Sequence, residues 1–350
     1  MEPRPTRVIA REQVDAWLAR LLADSQVIAP TTSEFGDEVM APVSSPAEVL
    51  WRFTNPLHPP KQFLLPQTEP LVAIRRDGDG WQARTLLDER PRVLFNLRPC
   101  DAAGLAFLRR VHEVEPPDTA VLRRAAALTV VCLACTEPCP QGFCICSGAG
   151  PFAVENFDIQ LIDLGDALLA EAGSERGAAM LAAAGPLFRP ATPVEMRLRM
   201  ELEEQAKRGF GEETCHFASA MRRVSTGRVE ETLWSAMADW CLECGACNFL
   251  CPTCYCFSVG DRCEDGGYLR CRTWDSCQYA AFTREASGHN PRAAHGDRVR
   301  RRFYHKVSAQ YFQRDGAVGC VGCGRCVEAC LGTTDMPAVV AALRQGVWRG

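Results

Sequence analysis

Apolar positions in the first half of the chain fall into two rhythms. Near the start, Val14, Leu18, Leu21 and Leu22 recur at helical spacing and predict a surface helix with one buried face. Further on come short, continuous apolar runs bounded by turn residues. Pro91–Leu97 (PRVLFNL), Ala127–Leu133 (ALTVVCL) and Phe157–Leu164 (FDIQLIDL) read as buried strands. "RPCD" follows the first of them and leads into "AAGLAFLRRV", which has helical periodicity. Strands alternating with helices predict an α/β first half. Asn55–Pro66 (NPLHPPKQFLLP) is too proline-rich for regular structure and is expected to wrap the surface as an extended segment.

From Ala170 to Pro193 the chain turns rich in Ala, Gly and Pro, and a charged helical stretch beginning VEMRLRMELEEQAKRG follows at Val194. A domain boundary is expected near residues 186–230. Asp297–Arg314 (DRVRRRFYHKVSAQYFQR) reads as a basic helix. No apolar run is long enough to cross a membrane. The opening residues have no apolar core with a cleavage site, so a cytoplasmic protein is expected.

A length of 350 residues suggests two domains, and 47% hydrophobic residues suffice for a sizeable core without covalent bridges. A net charge of -4 and a pI near 5.9 give no reason to expect nucleic acid or an anionic membrane as partner. The unusual number is twenty cysteines. In a reducing compartment, clustered cysteines are metal ligands or redox groups rather than disulfides.

Their spacing narrows the choice. Cys241, Cys244, Cys247 and Cys251, followed by Pro252, form C-x-x-C-x-x-C-x-x-x-C-P, and Cys320, Cys323, Cys326 and Cys330 repeat the spacing. Two such motifs in one chain signal two [4Fe–4S] clusters. Three cysteines at i, i+3 and i+6 wrap a loop over a cubane, while the fourth points away to the other cluster. The expected assignment is therefore crossed. Cys241, Cys244, Cys247 and Cys330 hold cluster 1; Cys320, Cys323, Cys326 and Cys251 hold cluster 2. Gly245, Gly322 and Gly324 suit the tight loops. Zinc prefers paired C-x-x-C knuckles to triplets with an offset fourth. Leu331 stands where the second motif would carry its proline.

The motifs are far apart, and the insert between them is expected to be mostly helical. The fold class is thus α+β: an α/β domain over 1–190, a helical linker over 191–230, and a mainly helical dicluster ferredoxin-type domain over 231–350. Arg298, Arg300, Arg301, Arg302, His305 and Lys306 lie in the insert. They form either a solvated helix face or a set of cations offsetting the negative charge of thiolate-bound clusters. Without aromatic interleaving or a net basic domain, DNA binding is disfavoured.

A second constellation comprises Cys100, Cys132, Cys135, Cys139, Cys144 and Cys146. Cys100 and Cys135 each follow a predicted strand, so a parallel sheet sets both at its carboxyl edge, where ligands bind. Cys144 and Cys146 flank one residue and in an extended segment point the same way. Cys100, Cys135, Cys144 and Cys146 are the choice for a third [4Fe–4S] cluster, with structural zinc and plain or redox-active thiols as alternatives. Cys132 is expected to face the core, and Cys139 stays open as a ligand. "SGAGP" is not a G-x-G-x-x-G fingerprint and marks no nucleotide site.

Taken in order, "NPLHPPKQFLLPQTEPL", "LRPCD", "ACTEP", "FCICSGAGP", "CLECGACNFLCPTCYCF", "SCQYAAFTREASGHNPR" and "CVGCGRC" resemble the iron–sulfur (beta) subunit of cytosolic sulfhydrogenases, the NAD(P)-linked nickel–iron hydrogenases. They also resemble the related iron–sulfur subunit of anaerobic sulfite reductase. The resemblance runs from Asn55 to Pro337. It implies a subunit without substrate chemistry that relays electrons between a flavin subunit handling NAD(P)H and a catalytic partner. It matches Cys100, Cys135, Cys144 and Cys146, with Ile145 in place of an aromatic residue, and leaves Cys132 and Cys139 outside the pattern. It extends to Cys254, Cys256 and Cys277, and to His289, Asn290 and Arg292. Those three cysteines are too few for a cubane unless Cys263 or Cys271 joins them; structural thiols are the alternative. The functional expectation is an electron-transfer subunit serving a nickel–iron hydrogenase module. The alternatives are the same relay for a siroheme sulfite reductase and a zinc-binding scaffold.

Overall fold

The computed structural model describes residues 4–212 and 214–349. Strands β1 (Thr6–Ala10), β2 (Gln26–Thr32), β3 (Glu38–Pro42), β4 (Thr68–Asp77), β5 (Gly80–Thr85), β6 (Arg92–Leu97), β7 (Leu128–Leu133), β8 (Ile159–Asp163), β9 (Ala167–Ala172) and β10 (Arg189–Pro190) come from the first half. The second half adds β11 (Phe257–Glu264) and β12 (Gly267–Trp274). Eight strands form one sheet in the order β10-β1-β9-β8-β7-β6-β2-β3. Its centre, β2, β6, β7 and β8, is parallel, and the flanking pairs are antiparallel. Every residue of β6 and β9 is buried, which is why these runs are mainly apolar without alternation; Arg92, Asn96 and Glu171 are the buried polar exceptions. The predicted first helix spans Val14–Asp24 and presses Trp17 edge-on to Phe95 and Phe188, with centroids 5.6 and 5.1 Å apart.

A second core gathers the helices of the other half. Phe217, Trp234, Met237, Phe303, Val339 and Leu343 pack together from the helices Phe217–Ser225, Glu231–Ala238, His295–Val307 and Met336–Gln345. The segment between the halves divides its loyalties. Pro193–Gly209, started by a capping box of Thr192 and Glu195, ties to β9 through Arg199 and Glu171 at 2.7 Å, whereas Phe217–Ser225 joins the second core. The basic helix is two helices, His295–Val307 and Ala309–Asp315, with Ser308 capping the second.

Two expectations are corrected. The insert between the cysteine motifs is not mostly helical throughout: residues 257–274 form a hairpin that completes a four-stranded antiparallel sheet, β11-β12-β4-β5. Its strands carry polar residues on both faces and a register shift at Arg270/Cys271, which blurs the alternation that marks a strand. The junction is pinned by Glu69, buried on β4. It accepts from Arg124 Nη2 at 2.5 Å and from Arg272 Nε at 2.9 Å. Nor does Asn55–Pro66 wrap the surface. Asn55, Pro56, Pro59, Pro60, Lys61, Leu64 and Leu65 are buried, and Asn55 Nδ2 donates to the Cys323 carbonyl at 3.0 Å. The prolines hold this segment as a strap between the halves.

Candidate metal centre

The two cysteine motifs fold alike. Gly245 (φ 74°) and Gly324 (φ 80°) adopt the left-handed conformation and open the single helical turns Ala246–Phe249 and Arg325–Glu328. Cys330 comes to lie beside Cys241 and Cys247, while Cys251 lies with Cys320, Cys323 and Cys326. Each motif thus sends its last cysteine to the other group. Burial pushes Cys241 and Cys247 up to about 11, Cys326 to about 11 and Cys323 to about 12, against the pull of Arg302 or Arg325.

Those thiol shifts pose a charge problem. Arg302, Lys306 and Lys61 are 6%, 5% and 2% exposed, yet none donates to a carboxylate among the described residues. Lys61 Nζ donates to the carbonyls of Asn248 and Cys254 at 3.0 and 3.1 Å, and Lys306 Nζ to Thr253 Oγ1 at 2.6 Å. Arg302 Nη1 donates to the Thr334 carbonyl at 3.0 Å, and its buried Nε has no partner. Burial works to lower Lys306 and Arg302. The thiols outweigh it and hold both above their ordinary values: Cys251, Cys254 and Cys320 for Lys306, and chiefly Cys247 and Cys326 for Arg302. At Lys61 burial outweighs the pull of Cys254 and Cys251 and, with Lys306 adding to it, lowers the amine to about 8. Buried cations need anions. Eight thiolates around two cubanes would carry net negative charge and supply the counter-charge these buried cations lack. The donor set fits [4Fe–4S] clusters on this ground. Arg298, Arg302 and Lys306 recur every four residues along one buried helix face, so the basic run faces the cysteines there and is a solvated face only in part.

The N-terminal cysteines meet where the parallel sheet ends. Cys100 sits in the first turn of the helix Pro99–His112 after β6, and Cys135 lies just beyond β7. Cys139 and Cys144 from the following loop close a pocket with them, and Arg98 lines it. Cys135 is pushed to about 11 by burial, opposed by Arg98; burial also raises Cys100 and Cys144. Cys146 is the exception. Cys144–Ser147 forms a 3-10 turn rather than an extended segment, so the two side chains diverge. Cys146 Sγ accepts from the Cys215 N–H at 3.4 Å and packs into the second core. The structure brings Cys139 to this pocket in its place. Cys132 is fully buried in β7, as expected of a core residue.

The three groups stand in a row. Phe143 N–H donates to the Gly322 carbonyl at 2.8 Å, and a Cβ on Gly322 would lie 2.4 Å from the Phe143 oxygen, so these loops touch backbone to backbone. Cys323 lines both the N-terminal pocket and the one holding Cys251, Cys320 and Cys326, which Cys247 also lines. Arg325 rivets the contact. Its Nη1 and Nη2 donate to Asp101 at 2.6 and 2.8 Å, Nη2 also to Asn55 Oδ1 at 2.6 Å, and Nε to the Pro56 carbonyl at 2.7 Å. Lys61, Asp101 and Arg325 were missed as site residues. Their only sequence signal is that two of them adjoin motif cysteines, in "PCD" and "CGRC".

Cys254, Cys256 and Cys277 lie near one another, whereas Cys263 and Cys271 are on the hairpin, Cys263 exposed and Cys271 donating to the Leu269 carbonyl at 3.7 Å. No fourth cysteine comes from there. Asn290 braces a turn, accepting from Thr283 Oγ1 at 2.8 Å and from the Arg292 N–H at 3.0 Å, and the His289 carbonyl accepts from the Glu285 N–H at 2.8 Å.

Among the described residues no helix is long and apolar enough to cross a membrane. Residues 240–334 match the family model for a 4Fe-4S dicluster domain. Over 317 residues the chain is 32% identical to Sulfhydrogenase 2 subunit beta of Pyrococcus furiosus, covering 87% of this chain and 88% of that relative. No solved structure matches. Likeness over nearly the whole of both chains, with paired cysteine motifs inside the matched domain, means that this protein belongs to the family of sulfhydrogenase beta subunits.

Proposed function

We propose that this chain is an electron relay with three [4Fe–4S] sites, coupling a flavin subunit that handles NAD(P)H to a nickel–iron hydrogenase catalytic subunit. The observation that carries the reading is the row of cysteine groups joined at Cys323 and Cys247 and lined by cations without carboxylate partners. The ligand sets are Cys241, Cys244, Cys247 and Cys330; Cys251, Cys320, Cys323 and Cys326; and Cys100, Cys135, Cys139 and Cys144. Bound there, such clusters supply one-electron transfer. The residues around them fix spacing, exclude water and balance charge. Arg302, Lys306 and Lys61 stabilise added negative charge, which favours the reduced state. Cys244 is exposed, and exposed apolar side chains of Trp240, Leu242 and Leu331 adjoin the first group, which supports a docking edge for a redox partner there.

Anaerobic purification with iron counting and EPR on reduction tests the relay. About twelve irons per chain are expected from three cubanes, and fewer than about eight would refute it. Zinc without iron would support a scaffold, although among the described residues no three His, Cys, Asp or Glu side chains group around a single ion. Identification of co-purifying chains separates the hydrogenase reading from its alternative, a siroheme sulfite reductase partner.

A further inference from the structure

Among the thiols left near the dicluster once the ligand sets are drawn are Cys254, Cys256 and Cys277, and the last two are neighbours. Cys256 lies just past the end of the β11–β12 ladder, where its carbonyl accepts from the Asp275 N–H at 2.9 Å; Cys277 follows two residues later. Cys256 and Cys277 lie side by side. Asn248 Nδ2 and Gln278 Nε2 point at the Cys277 sulfur, 3.1 and 3.7 Å away. Cys277 is buried and adjoins Cys247 of the first group, whereas Cys256 is half-buried. Cys254 lies elsewhere, beside Cys251 and Lys306.

We propose that Cys256 and Cys277 form a redox-active dithiol, a two-electron store beside the cluster site at Cys247. The proposal rests on the cluster reading above, because its oxidant is a pair of one-electron iron–sulfur centres. Three free thiols do not complete a cubane, and the hairpin offers no fourth. Two cysteines side by side just past the ends of paired strands are placed for a bond between their sulfurs. The Asn248 and Gln278 amides hold the Cys277 sulfur in place on the Cys256 side. In the oxidative step both S–H bonds break and one S–S bond forms. Two protons leave by the half-exposed Cys256 side. Two electrons pass one at a time to iron–sulfur centres, each reduced by one electron. Reduction reverses every part. A pair of this kind lets carriers of single electrons meet a partner that trades them in twos.

The test uses the iron-loaded full chain, poised anaerobically with mediators at oxidising and reducing potentials. Samples are quenched in acid, which removes the thiolates that would reshuffle bonds, and mapped by peptide mass spectrometry. A Cys256–Cys277 cross-link that appears on oxidation and disappears on reduction is expected. Cys256→Ser and Cys277→Ser should each keep the full iron content and EPR signals while taking up two fewer electrons per chain in a reductive titration. The proposal is overturned if both sulfurs stay free at every potential with the clusters intact. It is equally overturned if either variant loses iron, which would make these residues ligands. A wild-type chain without iron fails the cluster reading itself, and the iron count shows that before any variant is compared.

Discussion

Replacing Asp101 by alanine strips the Arg325 guanidinium of its counter-charge in a site where the two side chains are 2% and 1% exposed. Two hydrogen bonds, at 2.6 and 2.8 Å, are lost at once, and the bonds to Asn55 and the Pro56 carbonyl neutralise nothing. Removing one partner of a buried ion pair costs about 3–5 kcal/mol, because the other charge stays desolvated. At about 2 °C per kcal/mol for a chain this long, the melting temperature should fall by roughly 6–10 °C. Cys323 and Cys100 also act on Arg325, so bound clusters offset part of the loss, and the iron-free protein should fall further than the loaded one. Asp101→Leu combined with Arg325→Met should recover most of it, since apolar side chains often replace a buried pair without penalty, giving a coupling of about 2–4 kcal/mol. Differential scanning calorimetry under anaerobic conditions, run on both single variants, the double variant and the parent, measures the cycle. A single-variant shift below about 2 °C, or a double variant worse than either single one, would refute the argument.

Other substitutions probe the cysteine groups. Cys139→Ser should lower iron content by about one cubane, while Cys146→Ser should leave it unchanged; equal losses would restore Cys146 to the set. Cys330→Ser should disturb the EPR signal assigned through Cys241, Cys244 and Cys247, and Cys251→Ser that of the other motif; the reverse pattern would show uncrossed ligation. Gly322→Ala puts a Cβ 2.4 Å from the Phe143 oxygen at a φ of 63°, so it should loosen the N-terminal loop, seen as faster amide exchange over residues 141–146. Burial, reinforced by Lys306, Arg301 and Arg314, holds His305 down near 2, and its Nε2 lies 2.9 Å from the Tyr255 hydroxyl. A base depressed in the folded state contributes stability above its unfolded value of 6.5, lost as pH falls from there towards 2. Denaturation curves should therefore steepen by up to about 1.4 kcal/mol per pH unit below pH 6.5, and His305→Asn should flatten that slope.

Local patterns were legible where the apolar core enforced them. β6, β7 and β8 are apolar because both faces are covered, and the cysteine spacing is readable because a cubane fixes it. Reading failed where a distant partner decides the conformation. Asn55–Pro66 looks like a surface strap until Arg325 and two cysteine-bearing loops lie across it. Cys144–Ser147 has no signal for a 3-10 turn, and one turn suffices to exchange Cys146 for Cys139. Arg298, Arg302 and Lys306 do show helical period, yet charge ordinarily marks the wet face; here the buried face looks onto cysteine groups instead.

The small sheet bears on biosynthesis. Thr68 on β4 meets Thr273 on β12 across 205 residues of chain, so during translation β4 emerges long before the strand that covers it. Until then its edge offers unpaired peptide groups to any neighbouring chain. Closing so long a loop is slow. The nascent subunit should therefore depend on holding factors, and a fragment ending before Phe257 should aggregate rather than fold as an independent first half.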